Sequence, residues 1–140
     1  MRFVRLAAGA VVATLVLGAC GAPDGSGPTA GGADRSPSVT PTGNVVEVLM
    51  VSGRGEIFEP DHVTLKRGDV LRFKLEMGVH NASWPADQNP AGVQLPETTP
   101  YLQIPGQTHD VLIDMPPGEY TFQCDPHAVL GMIGKLTVED

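Results

Sequence analysis

The chain has 140 residues, with 17 Gly, 13 Pro, 18% charged and 5% aromatic residues. That is enough for one domain of ordinary size, and so many turn formers exclude a coiled coil or a helical bundle. Nine Lys and Arg stand against sixteen Asp and Glu, a net charge of −7, and no basic cluster exceeds Lys66–Arg67, which argues against a nucleic-acid partner.

Met1 to Arg5 carries two positive charges and no acid. Leu6 to Ala19 is an uncharged, mostly apolar run of 14 residues, shorter than the roughly 20 needed to span a bilayer. Residues 1–19 therefore read as a signal peptide. The run ends in Leu17-Gly18-Ala19-Cys20, which resembles the lipobox of bacterial lipoproteins. That resemblance implies cleavage before Cys20 and a diacylglycerol on its sulfur. Two or more acyl chains give durable membrane attachment. Removing residues 1–19 takes away Arg2 and Arg5 and leaves a net charge of −9.

Residues 20–43 read as a flexible tether behind the lipidated Cys20. Of the 23 residues from 21 to 43, 16 are Gly, Pro, Ser or Thr, and only Val39 is large and apolar. Such a segment buries too little surface to offset the entropy of ordering. As a coil it spans roughly 25–29 Å on average.

Residues 44–140 form the domain. Val45 to Val51 is a continuous strand-like run, and Gly53-Arg54-Gly55 is a turn with no helix behind it. His62 to Leu65 is a short strand. Val70 to Met77 alternates, with Leu71, Phe73 and Leu75 facing one way. Gly78 interrupts, and His80 to Trp84 resumes a strand. Residues 85 to 106 hold five prolines and form a long loop with room for a short helical turn. Thr108 to Asp114, Glu119 to Phe122 with Cys124, and Met132 to Val138 complete the set. Seven to eight closely spaced strands predict an all-β, antiparallel Greek-key sandwich.

The chemistry is concentrated in Cys124-x2-His127-x4-Met132, with His80-Asn81 upstream. One thiol, two imidazoles and one thioether are the donors of a blue-copper electron-transfer site. Strand parity puts Tyr120, Phe122 and Cys124 on one face, and Met132, Leu136 and Val138 on another inward face. His62 and His109 lack such partners and read as surface residues. Two cysteines in such different settings do not read as a disulfide.

The domain resembles the cupredoxin family, plastocyanin- and pseudoazurin-like members in particular. Phe58-x-Pro60, Gly68-Asp69-Val70, Gly118 to Cys124 and Gly131 to Val138 carry the likeness along with the ligand loop. The resemblance implies one type 1 copper ion held by His80, Cys124, His127 and Met132. It also implies that Asn81 locks the ligand loop and gives a backbone N–H to the Cys124 sulfur. Asp125 departs from the family's Ser or Thr, Ala128-Val129-Leu130 is unusually apolar, and the stretch from Pro85 to Pro105 has no counterpart in that pattern. The expected function is a monomeric, membrane-tethered electron carrier in the extracytoplasmic cell envelope. It would serve redox proteins such as a cytochrome or a membrane oxidoreductase. The rival reading is a copper storage or delivery protein. Catalysis is not expected, because a four-ligand copper leaves no open position for a substrate and no His-x-His motif occurs.

Overall fold

The computed structural model describes residues 42–140. The signal peptide, Cys20 and all but the last residues of the tether lie outside them. Seven strands form two sheets: β1 (Val45–Val51), β2 (Ile57–Glu59), β3 (His62–Lys66), β4 (Val70–Leu75), β5 (Thr108–Leu112), β6 (Gly118–Gln123) and β7 (Ile133–Glu139). One sheet runs β2-β1-β4-β5 and the other β3-β7-β6. The only helical pieces among the described residues are two 3-10 turns, Ala86–Gln88 and Ala128–Leu130.

The expected sandwich is present, but its sheets are mixed rather than antiparallel throughout. β1 pairs with β4 in parallel, and β3 with β7 in parallel. The chain leaves the first sheet after β2, lays down β3 in the second, and returns to place β4 beside β1 in the same direction. Turn residues mark where strands end, not which strand lies alongside, so local sequence does not reveal this.

β4 shows how the alternation works. Leu71, Phe73 and Leu75 are buried while Val70, Arg72 and Lys74 are half-buried. Phe58, Phe73 and Phe122 meet between the sheets with ring centroids 4.9 to 5.9 Å apart, and Trp84 packs on Phe122 at 5.4 Å. Aromatic pairs at such tilted angles add to plain area burial. Gly134 in β7 faces this cluster, and a Cβ there would fall 2.2 Å from the Phe122 ring. The glycine is thus the space into which the ring fits.

Two elements depart from the sequence reading, one unforeseen and one expected but absent. β2 is a short edge strand that its three residues do not announce. His80 to Trp84 is not a strand; it makes two isolated bridges, His80 with Leu102 and Ser83 with Gln123. The left-handed Gly78 (φ 104°) turns the chain out of the first sheet before them. At the start of the domain, the Thr42 N–H donates to the Gly68 carbonyl at 2.8 Å, just before β1 and β4 come into register at Val45 and Val70.

Candidate metal centre

Cys124 follows β6 by one residue and continues its buried face behind Tyr120 and Phe122. Its N–H donates to the Met132 carbonyl at 3.1 Å, which closes the loop between β6 and β7. Inside that loop the His127 N–H donates to the Cys124 carbonyl at 3.0 Å, and the Leu130 and Met132 N–H groups both donate to the His127 carbonyl. Gly131, at φ 90°, permits the reversal. The loop is therefore bonded to itself at every turn, and three of its side chains have fixed origins. His80 arrives from the bridge segment, held by reciprocal bonds with Leu102 at 3.2 and 2.8 Å.

The donor atoms converge. His80 Nδ1 and His127 Nδ1 are 3.1 Å apart. Cys124 Sγ lies 3.6 Å from the first and 3.4 Å from the second. Three donors this close are ready to share one centre. His80, Cys124 and Met132 are fully buried, while about a quarter of the His127 side chain is exposed. Met132 joins the group through its two backbone bonds to Cys124 and His127.

Burial pushes the Cys124 thiol above its ordinary value, against the pull of the Asn81 and His127 backbone N–H groups, with Asp125 and Glu56 adding to the rise. Burial also lowers the His80 imidazole, and the neighbouring His127 lowers it further. The polypeptide alone thus favours a neutral thiol and neutral imidazole. A metal ion that takes the sulfur as thiolate must release its proton.

Asn81 and Asp125 form a clamp beside the converging donors. Asn81 Nδ2 donates to Asp125 Oδ2 at 2.7 Å, and the Asp125 N–H donates to Asn81 Oδ1 at 2.9 Å. The Ser83 hydroxyl donates to the other carboxylate oxygen. These bonds, Ser83 first, hold the Asp125 carboxyl below its usual range despite some desolvation. Buried Asn81 thereby ties the His80 segment to the Cys124 loop.

Sequence reasoning missed Ser52 and Glu56. Ser52 Oγ lies 3.0 Å from His80 Nε2 and donates to Glu56 Oε2 at 2.7 Å. The Glu56 carboxylate is 3.6 Å from His80 Nε2 and 3.7 Å from His127 Nδ1. Both residues sit on the Gly53-Arg54-Gly55 turn, whose glycines signalled only a reversal. The left-handed glycines at 53 and 55 were the available hint that the turn doubles back toward the site.

Residues 46–139 match the family described as copper binding proteins, plastocyanin/azurin family. The chain belongs to that family. Copper is its cofactor, and the donors fit it: one soft sulfur and two imidazoles, mutually within 3.6 Å, with Met132 buried at the end of the same loop. A chloroplastic plastocyanin of Oryza sativa subsp. indica is 41% identical over 96 residues, which cover 66% of this chain and 62% of that protein. The chain thus spans about three fifths of the rice protein's length. Among solved structures, a pseudoazurin from Methylobacterium extorquens AM1 is 32% identical, with a TM-score of 0.52 over 69% of this chain and 76% of that one. A Cu-containing nitrite reductase from Thermus scotoductus is 27% identical, with a TM-score of 0.55, but the match covers only 22% of that enzyme against 68% of this chain.

Proposed function

We propose that this cupredoxin carries single electrons between redox proteins outside the cytoplasm, tethered to a membrane through lipidated Cys20. The observation that carries the reading is the convergence of a buried sulfur and two ring nitrogens within 3.6 Å. Copper, when bound, supplies one-electron exchange between Cu(II) and Cu(I). The chain's own residues do the rest. The burial of Cys124 and His80 keeps water from their donor atoms, and the backbone-bonded loop and the Asn81–Asp125 clamp hold the donors in place. A site that does not rearrange serves both oxidation states.

His127 is the edge through which the electron passes, because it alone of the four candidate donors reaches solvent. Around it lies an apolar surface: Val129 and Leu130 are exposed, and Val79, Tyr101 and Pro126 line a hollow beside the imidazole. Weak redox encounters need only small interfaces. The net negative chain steers basic partners such as a cytochrome or a membrane oxidoreductase. The likeness to a nitrite reductase involves one part of that enzyme, so the proposed role here is carrier rather than catalyst. Storage or delivery of copper uses the same ligands but needs ready metal exchange, which the burial of Cys124 and His80 disfavours.

The test is a visible spectrum of the full chain loaded with Cu(II). A strong thiolate-to-copper band that disappears in Cys124→Ser is expected. Absence of that band in the wild type overturns the reading. Mass spectrometry of membrane-extracted protein tests the anchor; an unmodified thiol at Cys20 removes the tether.

A further inference from the structure

Beyond Val51 the chain turns back, and Ser52 and Glu56, on either side of the turn, lie against the imidazoles. The Ser52 hydroxyl gives its proton to Glu56 Oε2 at 2.7 Å. Its oxygen therefore faces His80 Nε2, 3.0 Å away, as an acceptor. The Met77 carbonyl lies 3.1 Å from the same nitrogen and can only accept. Two acceptors fix the proton on His80 Nε2 and leave Nδ1 bare toward Cys124 and His127. A metal-binding imidazole is commonly oriented in this way, by what its other nitrogen donates to.

The space for this relay is built into the backbone. Gly78 is left-handed at φ 104°, and a Cβ there would fall 2.2 Å from Ser52 Oγ and 2.6 Å from His80 Nε2. Any side chain at 78 would displace the serine from the histidine. The carboxylate at the far end is itself three-quarters covered and stands 3.6 and 3.7 Å from the two rings. Arg54, the nearest basic residue in sequence, pairs with Glu59 instead. The negative charge of Glu56 is thus directed at the metal centre.

We propose that Glu56 is a positioning residue that also sets the redox balance of the centre: through Ser52 it orients His80 for metal binding, and its charge favours Cu(II) over Cu(I). This rests on the copper-carrier reading and goes beyond it by assigning that balance to a residue outside the ligand set. Glu56 does not bind the metal.

The experiment is spectroelectrochemistry on the copper-loaded full chain at neutral pH and low salt. Glu56→Gln retains the shape and an oxygen acceptor for Ser52 while removing the charge. At a fixed electrode potential its Cu(I):Cu(II) ratio is expected to rise about tenfold, equivalent to about 59 mV for one electron. Its thiolate-to-copper band stays in place. Glu56→Asp, which keeps the charge, remains within about threefold of wild type. Ser52→Ala, which breaks the relay but keeps the carboxylate, weakens copper binding by about tenfold or more. An unchanged ratio in Glu56→Gln overturns the proposal. So does a band that shifts as it does when a ligand is lost, because Glu56 then binds copper itself. A wild-type chain without the band defeats the copper reading first, before any variant is compared.

Discussion

Asp125 shows how much one side chain can do next to a metal. Its carboxylate is tied down by Ser83 and Asn81, and it follows Cys124 directly in sequence. A fixed negative charge stabilises the more positive oxidised ion. Asp125→Ser is therefore expected to raise the reduction potential, by less than Glu56→Gln does, because Asp125 is the more exposed of the two and better screened. Cyclic voltammetry of the two variants side by side gives the order. Asp69 acts at the start of β4 instead. Burial opposes its charge, but the Thr42 hydroxyl at 2.6 Å, the Lys66 N–H at 2.9 Å and the Asn44 side chain outweigh that and hold its carboxyl below the ordinary value. A carboxyl lowered in the folded state stabilises the fold above its unfolded value, near 3.9, and loses that contribution as pH falls through the folded value. Asp69→Asn is expected to cost about 1–3 kcal/mol at neutral pH. Urea melts should show the gap to wild type closing below about pH 4. The candidate donors were legible in the sequence because four residues of three donor types sit at a recognisable spacing. Ser52 and Glu56 were not, because the imidazoles they meet lie 24 to 71 residues away and only the folded turn brings them together.

Among the elements, β6 was readable from Tyr120, Phe122 and Cys124 at every second position after a Pro-Pro-Gly turn, although Thr121 in β6 is buried as well, and β7 was readable from its alternation through Leu136 and Val138. The Phe122–Gly134 fit between them was not, since a glycine in a strand reads only as a weak point until the facing ring is known. Gly134→Ala is expected to destabilise the copper-free protein by about 1–3 kcal/mol through overpacking, measured by thermal or urea unfolding. The segment from 85 to 106 resisted reading because its bonds are long-range. Asn89 accepts from the Thr121 N–H at 2.8 Å and donates to the Thr121 carbonyl at 3.0 Å, thereby covering the outer edge of β6. Thr99 takes the Ala82 N–H on its hydroxyl at 2.8 Å and gives its own N–H to the Ala82 carbonyl at 2.9 Å. The Pro-rich loop thus fastens the segment that carries His80 and Asn81. An exposed strand edge is a liability that proteins cover in this way. The mixed pairing of β1 with β4 escaped the sequence for a different reason: hydrophobic alternation fixes which face is buried, not the direction of the neighbour.

For the molecule as a whole, the proposed carrier role divides partner choice between the apolar surface around His127 and the net negative charge: the charge would steer approach, and the surface would allow contact close to the electron's exit. Leu130→Lys places a charge on that surface without touching a donor. It is expected to slow electron exchange with a basic partner several-fold while leaving the visible band intact, read by stopped-flow mixing. Unchanged kinetics would remove Leu130 from the contact. One consequence follows from the parallel run of β1 and β4. The chain enters the sandwich at Thr42, beside Gly68, and β1 then travels its seven residues, roughly 23 Å, before Ser52 reaches the imidazoles. Whatever precedes Thr42 is joined to the end of the sandwich opposite the one where β1 delivers Ser52 to the imidazoles. That makes the N-terminus a handle: a bead, an electrode or a bilayer gripping it holds the back of the molecule and leaves the working end free to meet the next carrier.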